Sequence, residues 1–251
     1  VYLESVGVDP PLPIIKTHHT DPSIWASPPP VPHPCLVGIS TDHARRLSLA
    51  YGVATRRVYN GINLQMYSPP PEGSKRNGRL LWLGRYTPEK DPLSAMQLAK
   101  RLRIPLDCYG DTEIVSDPSY IDRCRAEADG LIVRWYPGVS RERTVELYRT
   151  YRALLYTPIW EEPFGLVIAE AQASGLPVLT LGRGSMKEVV AHGGSGYVCD
   201  DIAGLEEVLK EGCLASLKTE NIVANTQKFS KEKMAKAYLE LFAQVRSGNL
   251  W

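Results

Sequence analysis

The pattern of hydrophobic and polar positions along the chain changes near residue 79. Beyond it, short apolar runs typical of buried strands recur between longer stretches with helical spacing. The predicted strands are 79–84, 105–110, 131–136, 153–157, 177–181 and 196–199. The predicted helices are 92–102, 117–128, 141–151, 165–174 and 185–192. This alternation indicates βαβ units on a parallel sheet with right-handed crossovers.

The first sixty residues have a different character because prolines, which fix φ and lack a backbone donor, interrupt them repeatedly. Short strands are predicted at 13–17, 36–40 and 57–59, with a helix at 41–51 capped by Ser40 or Thr41. A segment this short buries little core by itself. We therefore expect it to be the closing part of a larger α/β domain, most of which precedes Val1.

Domain boundaries follow from these patterns and from a polar, turn-rich stretch at 68–78. We expect residues 1–65 to end one domain and residues 66–228 to form a Rossmann-like domain. Helical spacing covers 202–246, and we expect 229–251 to form a helix that packs back toward the first domain. The predicted fold class is α/β: one Rossmann-like parallel-sheet domain flanked by helices, plus an incomplete second one.

Composition excludes several classes of protein but does not alter this picture. The 29 basic and 28 acidic residues nearly cancel, so no strong field selects nucleic acid. No apolar run approaches the ~18 residues that predict a transmembrane helix. Five cysteines without a CxxC pair favour reduced thiols. We expect a cytoplasmic protein, with peripheral attachment at the inner membrane face left open and its oligomeric state undetermined.

The segment Trp-Glu-Glu-Pro-Phe-Gly-Leu-Val-Ile-Ala-Glu-Ala at 160–171 carries the most chemistry. It follows a predicted strand and opens a helix at Gly165, whose unpaired backbone N–H groups suit a phosphate. Glu170 lies within reach of ribose hydroxyls, and Glu162, just outside the helix, lies within reach of a sugar. The alternative is that both glutamates only complement the helix dipole.

These residues resemble the retaining glycosyltransferases of family 4, which have the two-domain GT-B fold. That family carries E-x7-E inside an EPFG–EAxAxGxPV frame, and Glu162 and Glu170 supply the two glutamates here. Gly84-Arg85 with Lys90, which follows after the four residues Tyr-Thr-Pro-Glu, resembles the family's Gly-Arg…Lys element, and 58–63 resembles its crossover motif. The family's Gly-Gly-x-x-Glu is approximated by 183–188, with Arg183 in place of one glycine and three residues between Gly184 and Glu188.

The resemblance implies a hexose transfer from a nucleotide diphosphate sugar, UDP-, GDP- or ADP-linked, to an unidentified acceptor with retention at the anomeric carbon. Arg85 and Lys90 would hold the diphosphate, with Glu162 on the donor sugar and Glu170 on the ribose. The other implied donor contacts are the base at Gly138 and Val139 and the phosphate seat at Gly84, Phe164, Gly165 and Leu166.

Histidines concentrate near the start of the sequence. Thr17-His18-His19 resembles the family's T-x-H element, which implies that His19, or His18 as second choice, lies near the transferred sugar. The alternative is a histidine at a strand end whose ring is hydrogen-bonded and has no functional role. His33 and His43 are expected at the surface. Another alternative is a metal site, for which the ligands would be His18, His19, Asp21, His33 and Cys35.

The sequence contains no Asp-x-Asp, the motif that seats a divalent metal in the other main glycosyltransferase fold. We therefore expect metal-independent chemistry and no cofactor apart from the nucleotide sugar. A non-catalytic nucleotide-sugar-binding fragment is the main alternative. Nucleotide-sugar epimerases and sugar phosphorylases share the fold but are a weaker match to the motifs.

Overall fold

The computed structural model describes residues 14–22, 35–112 and 117–251, and these form two units. The larger unit comprises the described residues of Ile62–Lys228. The smaller one comprises those up to Gly61 together with Phe229–Trp251. Each unit has its own parallel sheet.

Nine strands and nine α-helices are present in the described residues. The strands are β1 (Lys16–Thr17), β2 (Leu36–Gly38), β3 (Thr55–Arg57), β4 (Leu80–Arg85), β5 (Leu106–Asp111), β6 (Val133–Pro137), β7 (Ala153–Tyr156), β8 (Val178–Leu181) and β9 (Gly196–Cys199). The helices are α1 (Thr41–Tyr51), α2 (Pro92–Leu102), α3 (Pro118–Glu127), α4 (Arg141–Thr150), α5 (Leu166–Ala173), α6 (Met186–Val189), α7 (Ile202–Glu211), α8 (Thr219–Thr226) and α9 (Lys231–Arg246).

The sheet of the larger unit is parallel throughout, with strand order β6-β5-β4-β7-β8-β9. The order reverses at β4, where Leu80 lies between Leu106 of β5 and Ala153 of β7. Helices leaving neighbouring strands on opposite faces open a crevice at such a reversal, at the carboxyl ends of the strands. The predicted α/β class with a Rossmann-like parallel sheet is confirmed.

The core of the larger unit contains a stack of three aromatic rings. Tyr86 lies between Trp82 and Trp135, with ring centroids 5.5 and 5.2 Å apart. Its hydroxyl donates hydrogen bonds to the carbonyls of Cys108 and Tyr136, and burial raises its pKa. The stack therefore joins the end of β4 to β5 and β6 without leaving the tyrosine hydroxyl unsatisfied.

A polar cluster fixes the opposite, amino-terminal edge of the same strands. The guanidinium of Arg79 pairs with the buried Asp107 carboxylate at 2.5 Å, and Tyr151 donates to its other oxygen at 2.6 Å. Arg79 also donates to the carbonyls of Leu106 and Ile132. One side chain thus satisfies acceptors from two neighbouring strands at once.

The smaller unit has the strand order β1-β2-β3, again parallel. Leu241 of α9 packs with Val37 and Val58 in its core, and the Tyr238 hydroxyl lies 2.8 Å from that of Thr17. The Trp251 indole donates to the carbonyl of Leu36 at 2.9 Å. The C-terminal helix is therefore an integral part of this unit.

Most predicted elements agree with the structure, and the differences have local causes. The strand expected at 36–40 ends at Gly38 because Ser40 caps α1, accepting from the His43 backbone N–H. The strand expected at 57–59 is β3, two residues earlier. The helical pattern of 202–246 is broken by Gly212, which has a left-handed φ of 70°. The start of the strand predicted at 13–17 lies outside the described residues.

Two further observations concern helix lengths. The helix predicted at 185–192 is only the four-residue α6, since Val190 is already extended and Gly193 and Gly194 follow. No helix in the described part of the chain is long and apolar enough to cross a membrane.

We expect Asp107→Asn to lower the free energy of unfolding by about 2–3 kcal/mol, because it leaves the Arg79 guanidinium partly buried without its counter-charge. Asp122→Asn is the matched control, since its side chain is 76% exposed on α3. Urea denaturation of both variants measures the difference. Equal midpoints for the two would show that the Arg79–Asp107 pair contributes nothing.

Candidate functional site

The crevice at the strand-order reversal contains a cleft of about 390 Å³. Five of the predicted donor-binding residues line it: Gly84, Gly138, Val139, Leu166 and Glu170. They come from the carboxyl end of β4, the loop after β6 and the first turns of α5. Positions far apart in sequence are thus brought to one place by the sheet topology.

Glu170 reaches the cleft from the second turn of α5. Its Oε2 accepts a hydrogen bond from Tyr148 at 3.2 Å, and Tyr67 interacts with it as a second hydroxyl partner. Burial raises the pKa of Glu170, while the two tyrosine hydroxyls act in the opposite direction. The carboxylate is therefore held in place by neutral donors at some electrostatic cost.

The amino terminus of α5 forms one wall of this cleft. Gly165 precedes it with φ of +78°, and a Cβ there would lie 2.9 Å from the Met186 methyl group. Leu166 and Val167, the first residues of the helix, line the cleft. Because the first N–H groups of a helix have no intrahelical acceptor, this wall attracts anions. Phe164 is buried just before the turn.

Glu162 stands at the centre of a compact polar cluster beside this helix. Its Oε2 lies 2.5 Å from the Lys90 ammonium and accepts hydrogen bonds from the Tyr156 hydroxyl at 2.5 Å and the Trp160 indole at 3.0 Å. Burial lowers the pKa of Lys90, and the paired Glu162 opposes that shift. The structure thus joins two predicted site residues in a buried ion pair.

Arg85 ends β4, directly after Gly84, and is half-exposed. Its guanidinium lies 3.5 Å from the Glu89 carboxylate, and its charge contributes to the lowered pKa of Lys90. A half-exposed arginine with one long ion pair remains available to an anion. Arg85 and Lys90 therefore differ, because the charge of Lys90 is already paired with Glu162 whereas Arg85 remains half-exposed.

The loop after β8 approaches the Glu162 backbone closely. The Gly184 N–H donates to Glu161 Oε2 at 2.5 Å, and the Ser185 N–H donates to the Glu162 carbonyl at 2.9 Å. Gly184 has φ of +58°, and a Cβ there would overlap the backbone of Glu162. Although Arg183 replaces one glycine of the family pattern, the position that requires glycine retains it.

The histidines of the smaller unit differ from one another. His18 is buried, and burial lowers its pKa to about 4, with Lys16 as the next contribution. His19 is exposed. The expectation that His43 lies at the surface is wrong, because its ring is buried and its Nε2 lies 3.0 Å from the Thr20 carbonyl.

The alternative metal site receives no support from the described part of these residues. Within residues 14–22, 35–112 and 117–251, no three His, Cys, Asp or Glu side chains are grouped closely enough to hold a metal ion. His33, one of the ligands considered, lies outside the described residues.

Comparison with known proteins identifies the family. Residues 70–229, well over half of the chain, match the sequence pattern of the family described as "Glycosyl transferases group 1". The chain belongs to this family. The match spans β4 to β9 and both glutamates of the E-x7-E motif.

Relatives of this group 1 glycosyltransferase include the D-inositol 3-phosphate glycosyltransferase of Thermobispora bispora, 28% identical over 84% of this chain and 56% of its own length. The phosphatidyl-myo-inositol mannosyltransferase of Mycobacterium leprae is 27% identical over 72% of this chain and 49% of its own length. The chain thus spans about half the length of these relatives.

Solved structures agree on the fold. The Anabaena protein Alr3699/HepE, determined in complex with UDP-glucose, has a TM-score of 0.79 and 18% identity, covering 92% of this chain and 72% of that one. AviGT4, a glycosyltransferase involved in avilamycin A biosynthesis, has a TM-score of 0.73 and 22% identity, covering 98% and 71%. The GT-B likeness predicted from the motifs is confirmed by these neighbours.

Four side chains of the site escaped the sequence prediction. Tyr67 and Tyr148 contact Glu170, and Tyr156 and Trp160 contact Glu162. Tyr148 and Tyr156 lie at apolar positions of a helix and a strand, where an aromatic residue indicates core. Trp160 begins the segment 160–171, but nothing in its spacing indicates that its indole N–H faces a carboxylate.

We expect Gly184→Ala to lower the free energy of unfolding by about 2–4 kcal/mol, since it combines backbone strain at positive φ with overlap onto Glu162. Gly193→Ala is the control, because Gly193 has φ of +73° but nothing within 4 Å of the added methyl group. Thermal unfolding of both variants checks the expectation. If Gly193→Ala proves as harmful, the overlap is irrelevant.

Proposed function

We propose that this group 1 glycosyltransferase moves a hexose from a nucleotide diphosphate sugar to an acceptor hydroxyl, with retention at the anomeric carbon and without a metal ion. The observation that carries the proposal is the cleft at the strand-order reversal, which is lined by Glu170 and by the first residues of α5. Glu162, which is paired with Lys90, lies on the segment that leads into this helix. Arg85 follows the cleft-lining Gly84.

The cleft suggests a seat for each part of the donor. The base would lie against Gly138 and Val139, and the ribose would donate hydrogen bonds to Glu170. The diphosphate would lie over the first N–H groups of α5, near Lys90 and Arg85. This order follows the crevice from the end of β6 to the start of α5.

The proposed reaction breaks the bond from the anomeric carbon to the diphosphate oxygen and forms a bond from that carbon to the acceptor oxygen on the same face. The acceptor proton passes to an oxygen of the departing diphosphate. Negative charge grows on the diphosphate as it leaves, so preorganised cations and helix N–H groups stabilise the transition state by several kcal/mol. Arg85 and Lys90 thereby take the role that a metal has in other sites.

Glu162 would engage the hydroxyls of the donor sugar, because its carboxylate is fixed next to Lys90 at the start of α5. In the smaller unit, the role of His19 near the transferred sugar stays a prediction. Its exposure leaves the ring accessible, whereas the neighbouring His18 is buried.

UDP-glucose is the first donor to test, since it is the ligand of the Anabaena structural neighbour. A second candidate function is binding of the nucleotide sugar without transfer. It is favoured by the lining of the cleft, all of which comes from residues of the larger unit. Turnover distinguishes the two: release of glucose or of a glycosylated product by this chain supports the transferase.

We expect calorimetry to detect micromolar binding of one nucleotide among UDP, GDP and ADP. Arg85→Ala should weaken it by about 10- to 100-fold, because hydrogen bonds to charged groups contribute about 1.5–3 kcal/mol. Arg101→Ala is the control, since Arg101 is half-exposed on α2 and pairs with Glu206. Binding should persist in EDTA. If no nucleotide binds, or Arg101→Ala weakens binding equally, the proposed donor site is wrong.

Glu170→Gln should change stability and binding in opposite directions. Because burial raises the pKa of Glu170, its ionised form destabilises the fold at pH 7, and the neutral amide removes that penalty. We expect a higher unfolding midpoint at pH 7 together with weaker nucleotide binding.

The pH dependence provides the check on this explanation. The penalty develops as the pH rises from the ordinary carboxyl pKa of 4.5 through the raised value in the folded chain. The stability gain of Glu170→Gln should therefore vanish below pH 4.5. Thermal unfolding across this range measures it, and a gain independent of pH would contradict the electrostatic cause.

A further inference from the structure

The two oxygens of the Glu162 carboxylate have different surroundings. Lys90, Tyr156 and Trp160 all donate to Oε2, at 2.5, 2.5 and 3.0 Å. Among the described residues, no hydrogen bond or ion pair reaches Oε1. The three donors hold the carboxylate by one oxygen and leave the other for a ligand.

Under the proposed function, on which this inference rests, Lys90 has two possible partners. Its ammonium pairs with Glu162 here, yet a bound diphosphate would attract the same ammonium. If Lys90 moved to the phosphate alone, Glu162 would lose its counter-charge while still buried, which is costly. The two neutral donors are placed to keep Oε2 satisfied during that change.

The positions of these donors fit such a role. Tyr156 ends β7 and is almost fully buried, so its hydroxyl has little freedom to turn elsewhere. Trp160 contacts both partners of the ion pair, donating to Glu162 and placing its ring 4.4 Å from the Lys90 ammonium. The indole thus keeps its hydrogen bond with Glu162 while offering the ammonium a weaker contact that is easily exchanged.

We propose that Tyr156 and Trp160 are positioning residues that hold Oε2 of Glu162, so that Oε1 is presented to the hydroxyls of the donor sugar. They recognise the sugar only through Glu162. Their loss should therefore affect ligands that carry the sugar and spare the nucleotide alone.

Tyr156→Phe and Trp160→Phe test this, because each removes one hydrogen-bond donor and keeps an aromatic ring. Calorimetry with UDP and with UDP-glucose on the 251-residue chain gives two dissociation constants for each variant. We expect UDP to bind within about twofold of the wild type and UDP-glucose about tenfold more weakly. Tyr197→Phe is the control, since its hydroxyl bonds Cys213 and Ser216 near the edge strand β9.

Each outcome decides between the inference and its alternatives. Unchanged UDP-glucose binding overturns the inference, as does equal weakening of both ligands, which would reveal a merely structural role. If the wild type binds GDP or ADP in place of UDP, that nucleotide and its glucose conjugate replace UDP and UDP-glucose in the same test. Failure of the wild type to bind any of the three rejects the proposed function as well.

Discussion

The reversal of strand order at β4 is the constraint on which the candidate site depends. In a parallel sheet every strand ends at the same edge, so the loops that follow β4, β6, β7 and β8 all emerge there. Helices that leave toward opposite faces prevent those loops from closing over the edge. The strand order therefore creates the cleft, and the side chains that line it determine what it binds.

The charged residues predicted for the site are of two kinds. Arg85 is half-exposed, with one long contact to Glu89. Lys90 and Glu162 are buried and paired with each other. Pairs of this kind gain little net stability because desolvation offsets their attraction. Under the proposed function, the pair at this edge serves binding chemistry rather than folding.

Sequence reasoning predicted the sheet and the carboxylates because both depend on local signals. Strand and helix periods are short-range, and Glu162 and Glu170 belong to one continuous motif. The contacts to those carboxylates depend on the fold instead. Tyr67 and Glu170 are more than a hundred residues apart in sequence, and the apolar pattern around Tyr156 indicates only a core position. His43 was misplaced for the same reason, since burial of a helix face depends on what packs against it.

The indole of Trp160, over the Lys90 ammonium, also gives the protein an optical reporter at the site. A nearby positive charge shifts the excited state of an indole, so an event that moves Lys90 alters the emission of Trp160. Trp82 and Trp135 are fixed in the core stack and supply a steady background. A ligand that displaced Lys90 would thus change the intrinsic fluorescence of the unlabelled chain.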